Sequence, residues 1–338
     1  MKITVVIIFS GRQELLERCI DSVLRALPIG AELKIVVNGA FPESIDWLSK
    51  QRPPVSWTQV PKTSRCITRN NALAETESDL VYFLDDDVVV PEHLFALATK
   101  SFEADPELAI LGGPNLTPLG SSFLEKCFGA VVTSPFCAPK VRRRYARWND
   151  QGPRPADQHD LILCNFVVRR NLVWPRLRFT PNITSNEENI FVFQGQQLGL
   201  KICRLAELYV YHVRRSSLRS FLRQIKSYGM GRGEQMLLHP QSNHHLFFLA
   251  LIFPPLAFLT LAFVPDQWMI FGPLYFLFSA MGALLSRETR ELGWRGIFTV
   301  TLLTPMVHLT YSAAMWSVLV RYAIRRLQNL VFNPVASS

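Results

Sequence analysis

Residues Leu80 to Leu84 form an apolar run that ends in three consecutive carboxylates, Asp85, Asp86 and Asp87; a second apolar run, Val88-Val89-Val90, follows at once. Apolar residues bounded in this way are read as a strand buried on both faces. Three acids at its end cannot be buried unpaired, because an isolated ionised carboxylate in a core is far too costly. They face solvent or hold a cation. In an open α/β sheet, ligands sit beyond the carboxyl ends of the strands, and these acids fall there.

The preceding sequence supplies the rest of such a sheet. Ile3 to Phe9 is continuous and largely β-branched, as expected of a central parallel strand. Ser10-Gly11-Arg12 makes a turn, and Glu14 to Leu27 carries apolar residues at a helical period until Pro28 and Gly30 stop it. Leu33 to Val37 is the next strand, with Asn38-Gly39 turning at its end. The unit is βαβ, which implies a right-handed crossover and parallel strands. A weaker strand is expected from Pro53 to Val60, and Ser64 to Ala74 enters a helix through polar residues.

Beyond the acids, the spacing predicts a helix from Pro91 to Phe102, with the proline in its first turn. Strands are expected at Leu108 to Leu111, Leu161 to Val168 and Lys201 to Tyr211, the last closing on His212. Pro181 to Glu188 leads into a helix ending near Gly199. Residues 115–160 carry recurrent Pro and Gly and an arginine run at 142–147. A loop this long in a compact domain is usually functional or mobile.

Composition separates two halves of the chain. Hydrophobic residues make up 49% of the 338, and the excess concentrates after about residue 245. Three apolar segments, roughly 246–264, 268–285 and 297–320, each approach the length needed to cross about 30 Å of hydrocarbon. Pro254-Pro255 would kink the first, and Val264-Pro265-Asp266-Gln267 joins the first two as a hairpin. Arg287, Arg290 and Arg295 mark the following loop as cytoplasmic, which puts the N-terminal domain in the cytoplasm as well. Three crossings are expected, although Arg321, Arg325 and Arg326 favour an inside C-terminus and so a re-entrant or interfacial third segment. Arg214 to Tyr228 has the pattern of an interfacial amphipathic helix, or nearly as well of one packed on the N-terminal domain. Gly229-Met230-Gly231-Arg232-Gly233 is read as a flexible link after it.

The formal net charge of +9 suits phosphate-bearing partners or an anionic membrane surface. No nucleic-acid module is present in the sequence, and the hydrophobic segments favour membrane. The six cysteines have no C-x-x-C spacing, which argues against a zinc or redox motif and for reduced thiols in a cytosol-facing domain. The short apolar run after Met1-Lys2 lacks a cleavage site and is read as a first strand rather than a signal peptide.

Four motifs in order carry a resemblance: Thr68-Arg69-Asn70-Asn71-Ala72, the DxD-type triplet Asp85-Asp86-Asp87, Asn186-Glu187-Glu188-Asn189, and Tyr209-Val210-Tyr211-His212. Together they resemble a family 2 glycosyltransferase of the GT-A fold over roughly residues 3–235. The resemblance implies a Rossmann-like, mostly parallel α/β sheet flanked by helices, here followed by a C-terminal transmembrane helical region. It also implies a nucleotide-diphosphate-sugar donor, a divalent metal (Mn²⁺ or Mg²⁺), and inversion at the anomeric carbon. Negative charge develops on the leaving diphosphate, and a hard cation on carboxylate oxygens stabilises it.

By that similarity Asp87 binds the metal, Asp85 contacts the metal or the nucleotide ribose, Asp86 assists either, and His212 is a further metal or diphosphate contact. Arg69 meets the base or phosphates. Glu188 matches the base that takes the acceptor's proton, with Glu187 beside it. Two glutamates opening a helix also suit its dipole without any catalysis. Ser10 and Asn38 fall at nucleotide-contacting positions, but both depart from the family pattern. The first strand lacks its proline, and Asn38 replaces the usual base-reading aspartate, offering a donor and an acceptor instead. Gln224-Ile225-Lys226-Ser227-Tyr228 lacks the Arg-Trp of processive members, which favours single-sugar transfer.

The expected organisation is therefore a catalytic domain at 1–213, an interfacial helix and linker at 214–245, and a membrane region at 246–338. The expected activity is transfer to a lipid-linked acceptor in surface polysaccharide or glycolipid synthesis, at the cytoplasmic face of the inner membrane of a multi-pass protein. Transfer directly to a polyprenyl phosphate is the alternative enzyme, and a non-catalytic sugar-nucleotide-binding scaffold the alternative class. The arginine run at 142–147 is a candidate for holding an acceptor phosphate, or simply a solvated loop.

Overall fold

The computed structural model of the chain describes residues 1–51 and 55–332. It divides into two compact units. The first carries strands β1 (Ile3–Phe9), β2 (Glu32–Asn38), β3 (Val55–Val60), β4 (Leu80–Asp85), β5 (Val88–Val89), β6 (Leu108–Gly112), β7 (Asn115–Leu116), β8 (Arg154–Pro155), β9 (Asn165–Arg169), β10 (Lys201–Arg204) and β11 (Val210–His212). Eight of them form one sheet in the order β3-β2-β1-β4-β9-β6-β10-β8, and the other three a small sheet, β5-β11-β7.

The large sheet is mostly parallel, with β9 running against both β4 and β6, and β8 against β10. Every residue of β1 is buried, as its unbroken apolar run requires. Leu16, Cys19, Ile20 and Val23 of the helix Gln13–Ala26 pack into the same core. The register sets Ile8 of β1 opposite Asp85 of β4. The Ser10-Gly11-Arg12 turn therefore lies at the carboxyl end where the acids emerge.

Some elements differ from the sequence reading. The strand expected from Pro53 is seen from Val55; Pro53 and Pro54 lie outside the described residues. Pro91 sits in a turn before the helix Leu94–Ala104 rather than in its first turn, and its carbonyl accepts from the Leu94 amide. The run Leu161 to Cys164 is a turn into β9, not part of it. The expected last strand splits, because the chain turns at Leu205–Leu208 and passes from the large sheet to the small one. Gly113 makes this possible: a Cβ there would stand 1.7 Å from the Leu208 carbonyl oxygen. Residues 115–160 contain β7, the helix Phe123–Val131 with a Ser122/Glu125 capping box, a 3-10 turn at Arg142–Arg144, and β8.

The second unit comprises Ser134–Cys137, Ile183–Asn186 and the chain from Arg215. Its helices are Leu218–Leu238, Leu246–Phe263, Trp268–Leu285 and Gly293–Phe332, with a short helix Arg287–Arg290. The glycines expected to form a flexible link lie inside the first of these. They are packing residues: a Cβ on Gly229 would meet the Tyr311 carbonyl oxygen at 2.4 Å, and one on Gly231 the Ser185 carbonyl oxygen at 2.2 Å. At Gly229 the missing side chain lets two helix backbones approach this closely, and at Gly231 it admits the bend at Ser185. Three helices are long and apolar enough to cross a membrane. No residue of Leu246–Phe263 is buried.

Candidate active site

The acids at the end of β4 fall into unequal environments. Asp87 is 1% exposed, yet it is charged on two sides: Arg12 Nη2 donates to its Oδ2 at 2.6 Å, and His212 Nε2 lies 3.2 Å from its Oδ1. Asp86 accepts from Arg12 at 2.9 Å and from the Ser10 amide at 3.2 Å. Asp85 keeps much of its side chain in solvent, with His212 Nε2 and Arg69 Nη2 each 3.9 Å away.

Topology explains why His212, far along the chain, belongs here. β11 pairs antiparallel with β5, sets His212 opposite Val88, and lets the Val213 amide donate to the Asp87 carbonyl. Burial opposes the charge on Asp87, but His212 and then Arg12 outweigh it and hold the carboxyl well below the usual range. Burial likewise opposes the charge on His212, and Asp87 with Asp85 pushes its pKa up to about 9. Asp86 goes the other way, raised by burial and by the Asp87 charge.

The glutamates open the helix Glu187–Gln197, where the dipole favours acids. That helix is fixed to the sheet through aromatic packing: Phe191 stacks on Phe179 at 4.1 Å, and Phe179 meets Phe83 of β4 edge-on at 5.7 Å. Both glutamates are pinned by buried arginines. Arg69, 4% exposed, donates to Glu187 Oε1 at 2.6 Å. Arg144, 3% exposed, donates to Glu188 Oε1 at 3.0 Å, and also to Asn189 and to the carbonyls of Gln158 and His159. Burial is the main influence on the Glu188 carboxyl; with Glu187 alongside it raises the pKa despite the Arg144 charge.

Arg69 touches both groups, so the strand-end acids and the glutamates form one site. The neighbouring Asn70 fixes Arg69's helix by exchanging two hydrogen bonds with the Phe179 backbone, at 2.9 and 2.8 Å. Asn38 stands further along the same edge. Its amide donates to the Thr63 carbonyl and accepts from the Thr63 amide, so it holds the chain before Ser64 against the end of β2.

Three participants were not legible as such in the sequence. Arg12 read only as a turn residue, although a basic residue just past the first strand is the available signal. Arg144 read as one member of an arginine run that was a candidate for holding an acceptor phosphate, or simply a solvated loop. In fact the run is divided: Arg144 is buried on Glu188, while Arg142 and Arg143 lie over the Trp148 ring and Arg147 over Tyr209. Cys164 read as one of several scattered thiols. Its Sγ and ligand atoms of Asp85 and His212 lie within 4.8 Å of one another.

These residues fit a divalent cation. Asp87 Oδ1 is buried against His212 Nε2 at 3.2 Å, and Asp85 offers a further oxygen beside that ring. Carboxylate oxygens with an imidazole nitrogen make a donor set that divalent cations take.

A mostly parallel sheet with acids at a central strand end, and a second carboxylate pair opening a helix beside them, is the arrangement expected of a GT-A glycosyltransferase. The chain belongs to glycosyl transferase family 2, whose family model matches residues 4–174. Solved structures agree on the fold. A mannosyltransferase from Pyrobaculum calidifontis, PcManGT, determined with GDP-Man and Mn²⁺, superposes with a TM-score of 0.57 at 14% identity, over 93% of this chain and 87% of its own. S. aureus TarS 1-349 with UDP-GlcNAc gives a TM-score of 0.51 at 12% identity, over 94% and 91%. No curated protein matches the chain.

Proposed function

We propose that this glycosyltransferase moves one sugar from a nucleotide-diphosphate-sugar to a lipid-linked acceptor, inverting the anomeric carbon, with Mn²⁺ or Mg²⁺ at the strand-end acids. One observation carries the reading: buried Arg69 joins an acidic cluster suited to a cation with a carboxylate pair suited to proton removal. The nucleotide sugars captured in the two similar structures support the donor class.

In this reading Asp87, Asp85 and His212 would hold the cation, which when bound would offset the charge developing on the leaving diphosphate. The Ser10 amide holds Asp86, which with Asp87 keeps Arg12 at the strand end where a donor's diphosphate would come. Asn38 shapes the nucleobase edge through the loop it holds. Glu188 takes the proton of the acceptor hydroxyl. Its Oε1 is held by Arg144, which leaves Oε2 for that task. Glu187 and Arg69 fix the start of the helix beside it.

The membrane reading rests on surface chemistry. The helix Leu246–Phe263 exposes Phe248, Leu249, Ile252, Leu256, Phe258 and Leu259, an apolar surface that water does not tolerate and lipid does. The 40 residues of Gly293–Phe332 span about 60 Å, enough to cross hydrocarbon and carry Arg321, Arg325 and Arg326 beyond it. We assign residues 1–213 to catalysis at the cytoplasmic face of an inner membrane, 214–245 to the interface and 246–338 to the membrane, as a multi-pass protein. A lipid acceptor follows from that placement.

The test is a donor screen on membranes containing the protein, with Mn²⁺ or Mg²⁺. The expected result is consumption of one nucleotide sugar with label moving into the lipid fraction, lost in Asp87→Asn and in Glu188→Gln. Label confined to a water-soluble product would overturn the acceptor assignment. Turnover by both variants at the wild-type rate would overturn the catalytic one.

A further inference from the structure

Cys164 lies in the turn that enters β9, buried beside the strand-end acids. Nothing in its sequence context marks it as a ligand. Yet its Sγ, an oxygen of Asp85 and a ring nitrogen of His212 cluster within 4.8 Å. A second observation points the same way. Asp87, on a side chain only 1% exposed, turns Oδ1 to the same His212 Nε2 at 3.2 Å, so a second, buried carboxylate borders the cluster.

We propose that Cys164 is a thiolate ligand of the cation held by Asp85, Asp87 and His212, so that the site favours Mn²⁺ over Mg²⁺ and also takes up the more thiophilic Zn²⁺ and Co²⁺. The inference rests on the reading that the acids hold a cation, and it adds which kind. Oxygen-only sites suit Mg²⁺ and Mn²⁺, whereas sulfur and imidazole move selectivity toward Zn²⁺ and its borderline neighbours. Bonds of about 2.0–2.3 Å would draw these ligand atoms in by roughly an ångström through side-chain rotation.

On binding, the S–H bond breaks, its electron pair goes to the metal and the proton to solvent. The Asn115 amide already donates to Sγ at 3.3 Å, an outer contact of the kind that orients a metal ligand and stabilises negative sulfur. Cys19 is also nearby, but its thiol is directed to the Asp85 backbone carbonyl at 3.5 Å and takes no part in the cluster. It is the natural control.

The test uses the full chain, stripped with chelator and titrated with Co²⁺. A thiolate-to-cobalt charge-transfer band should appear in the near ultraviolet. It should persist in Cys19→Ser and vanish in Cys164→Ser, while the visible cobalt bands remain. Independently of any variant, X-ray absorption of the Zn²⁺-loaded wild type should show one sulfur neighbour at about 2.3 Å. Cobalt bound with no charge-transfer band and zinc with only oxygen and nitrogen neighbours would overturn the thiolate and leave the cation reading intact. So would a band that survives in Cys164→Ser. Failure to bind Co²⁺ or Zn²⁺ at all would overturn the cation reading, and this inference with it.

Discussion

The two carboxylate groups of the site are neutralised in opposite ways. At the strand end, Asp86 and Asp87 lean on Arg12, whose side chain is 41% exposed and rooted in a turn. At the helix start, Glu187 and Glu188 lean on Arg69 and Arg144, both nearly sealed from solvent and rooted in packed structure. An exposed arginine can be displaced by a cation at small cost. A buried one cannot leave without stranding a charge. The first group can exchange its partner and the second holds its geometry, which is what the proposed cation site and the proposed base require.

Substitutions can break this contrast. The largest effect is expected from Glu188→Gln, which keeps a hydrogen-bond acceptor for Arg144 but cannot take a proton. Turnover should fall by about 10²–10⁴-fold while donor affinity is retained, read as a kcat loss without a matching KM change. Next is stability. Arg144→Ala leaves Glu188 buried without its partner and should cost about 3–5 kcal/mol in denaturant unfolding. Arg12→Ala should cost less, because Asp87 keeps His212 Nε2 at 3.2 Å and Asp86 keeps the Ser10 amide. The same Arg12→Ala change should strengthen Mn²⁺ binding without nucleotide, measured by the loss of the free-Mn²⁺ resonance signal, since a competitor for Asp87 is gone.

The pH profile sharpens the assignment of the base. Burial raises the Glu188 carboxyl above its ordinary value. Only the deprotonated form accepts a proton, so kcat/KM should rise with pH through that raised value. The acid limb should therefore lie above the range of an ordinary glutamate, and Glu188→Gln should abolish it. The smallest expected effect on turnover is from Asn38→Ala, which frees both hydrogen bonds to Thr63. It should cost about 1–3 kcal/mol and raise the donor KM more than it lowers kcat.

How much of this was legible depends on the range of the interaction. β1, β2 and β4 are announced by continuous apolar runs, and Asp85–Asp87 by three charges no core can absorb. Glu187 and Glu188 are visible as a pair, but a helix start accounts for them equally well until Arg69 and Arg144 are seen on them. Arg144 and Cys164 are invisible in one dimension, because each acquires its role from a turn that no periodicity describes. The split of 201–211 between two sheets was hidden for a related reason: residues 205–209 are apolar except for Glu207, and only the close approach at Gly113 shows why the chain must turn. The glycines at 229, 231 and 233 misled in the other direction. In a soluble helix three glycines suggest a break, whereas here they are contact surfaces inside one.

The most direct measurement is calorimetric titration of Mn²⁺ together with the nucleotide sugar found in the donor screen, into wild type, Asp87→Asn and Glu188→Gln. The account predicts that Glu188→Gln binds as wild type does without turning over, and that Asp87→Asn loses cation-dependent binding. Undiminished cation-dependent binding by Asp87→Asn, or wild-type turnover by Glu188→Gln, would contradict it.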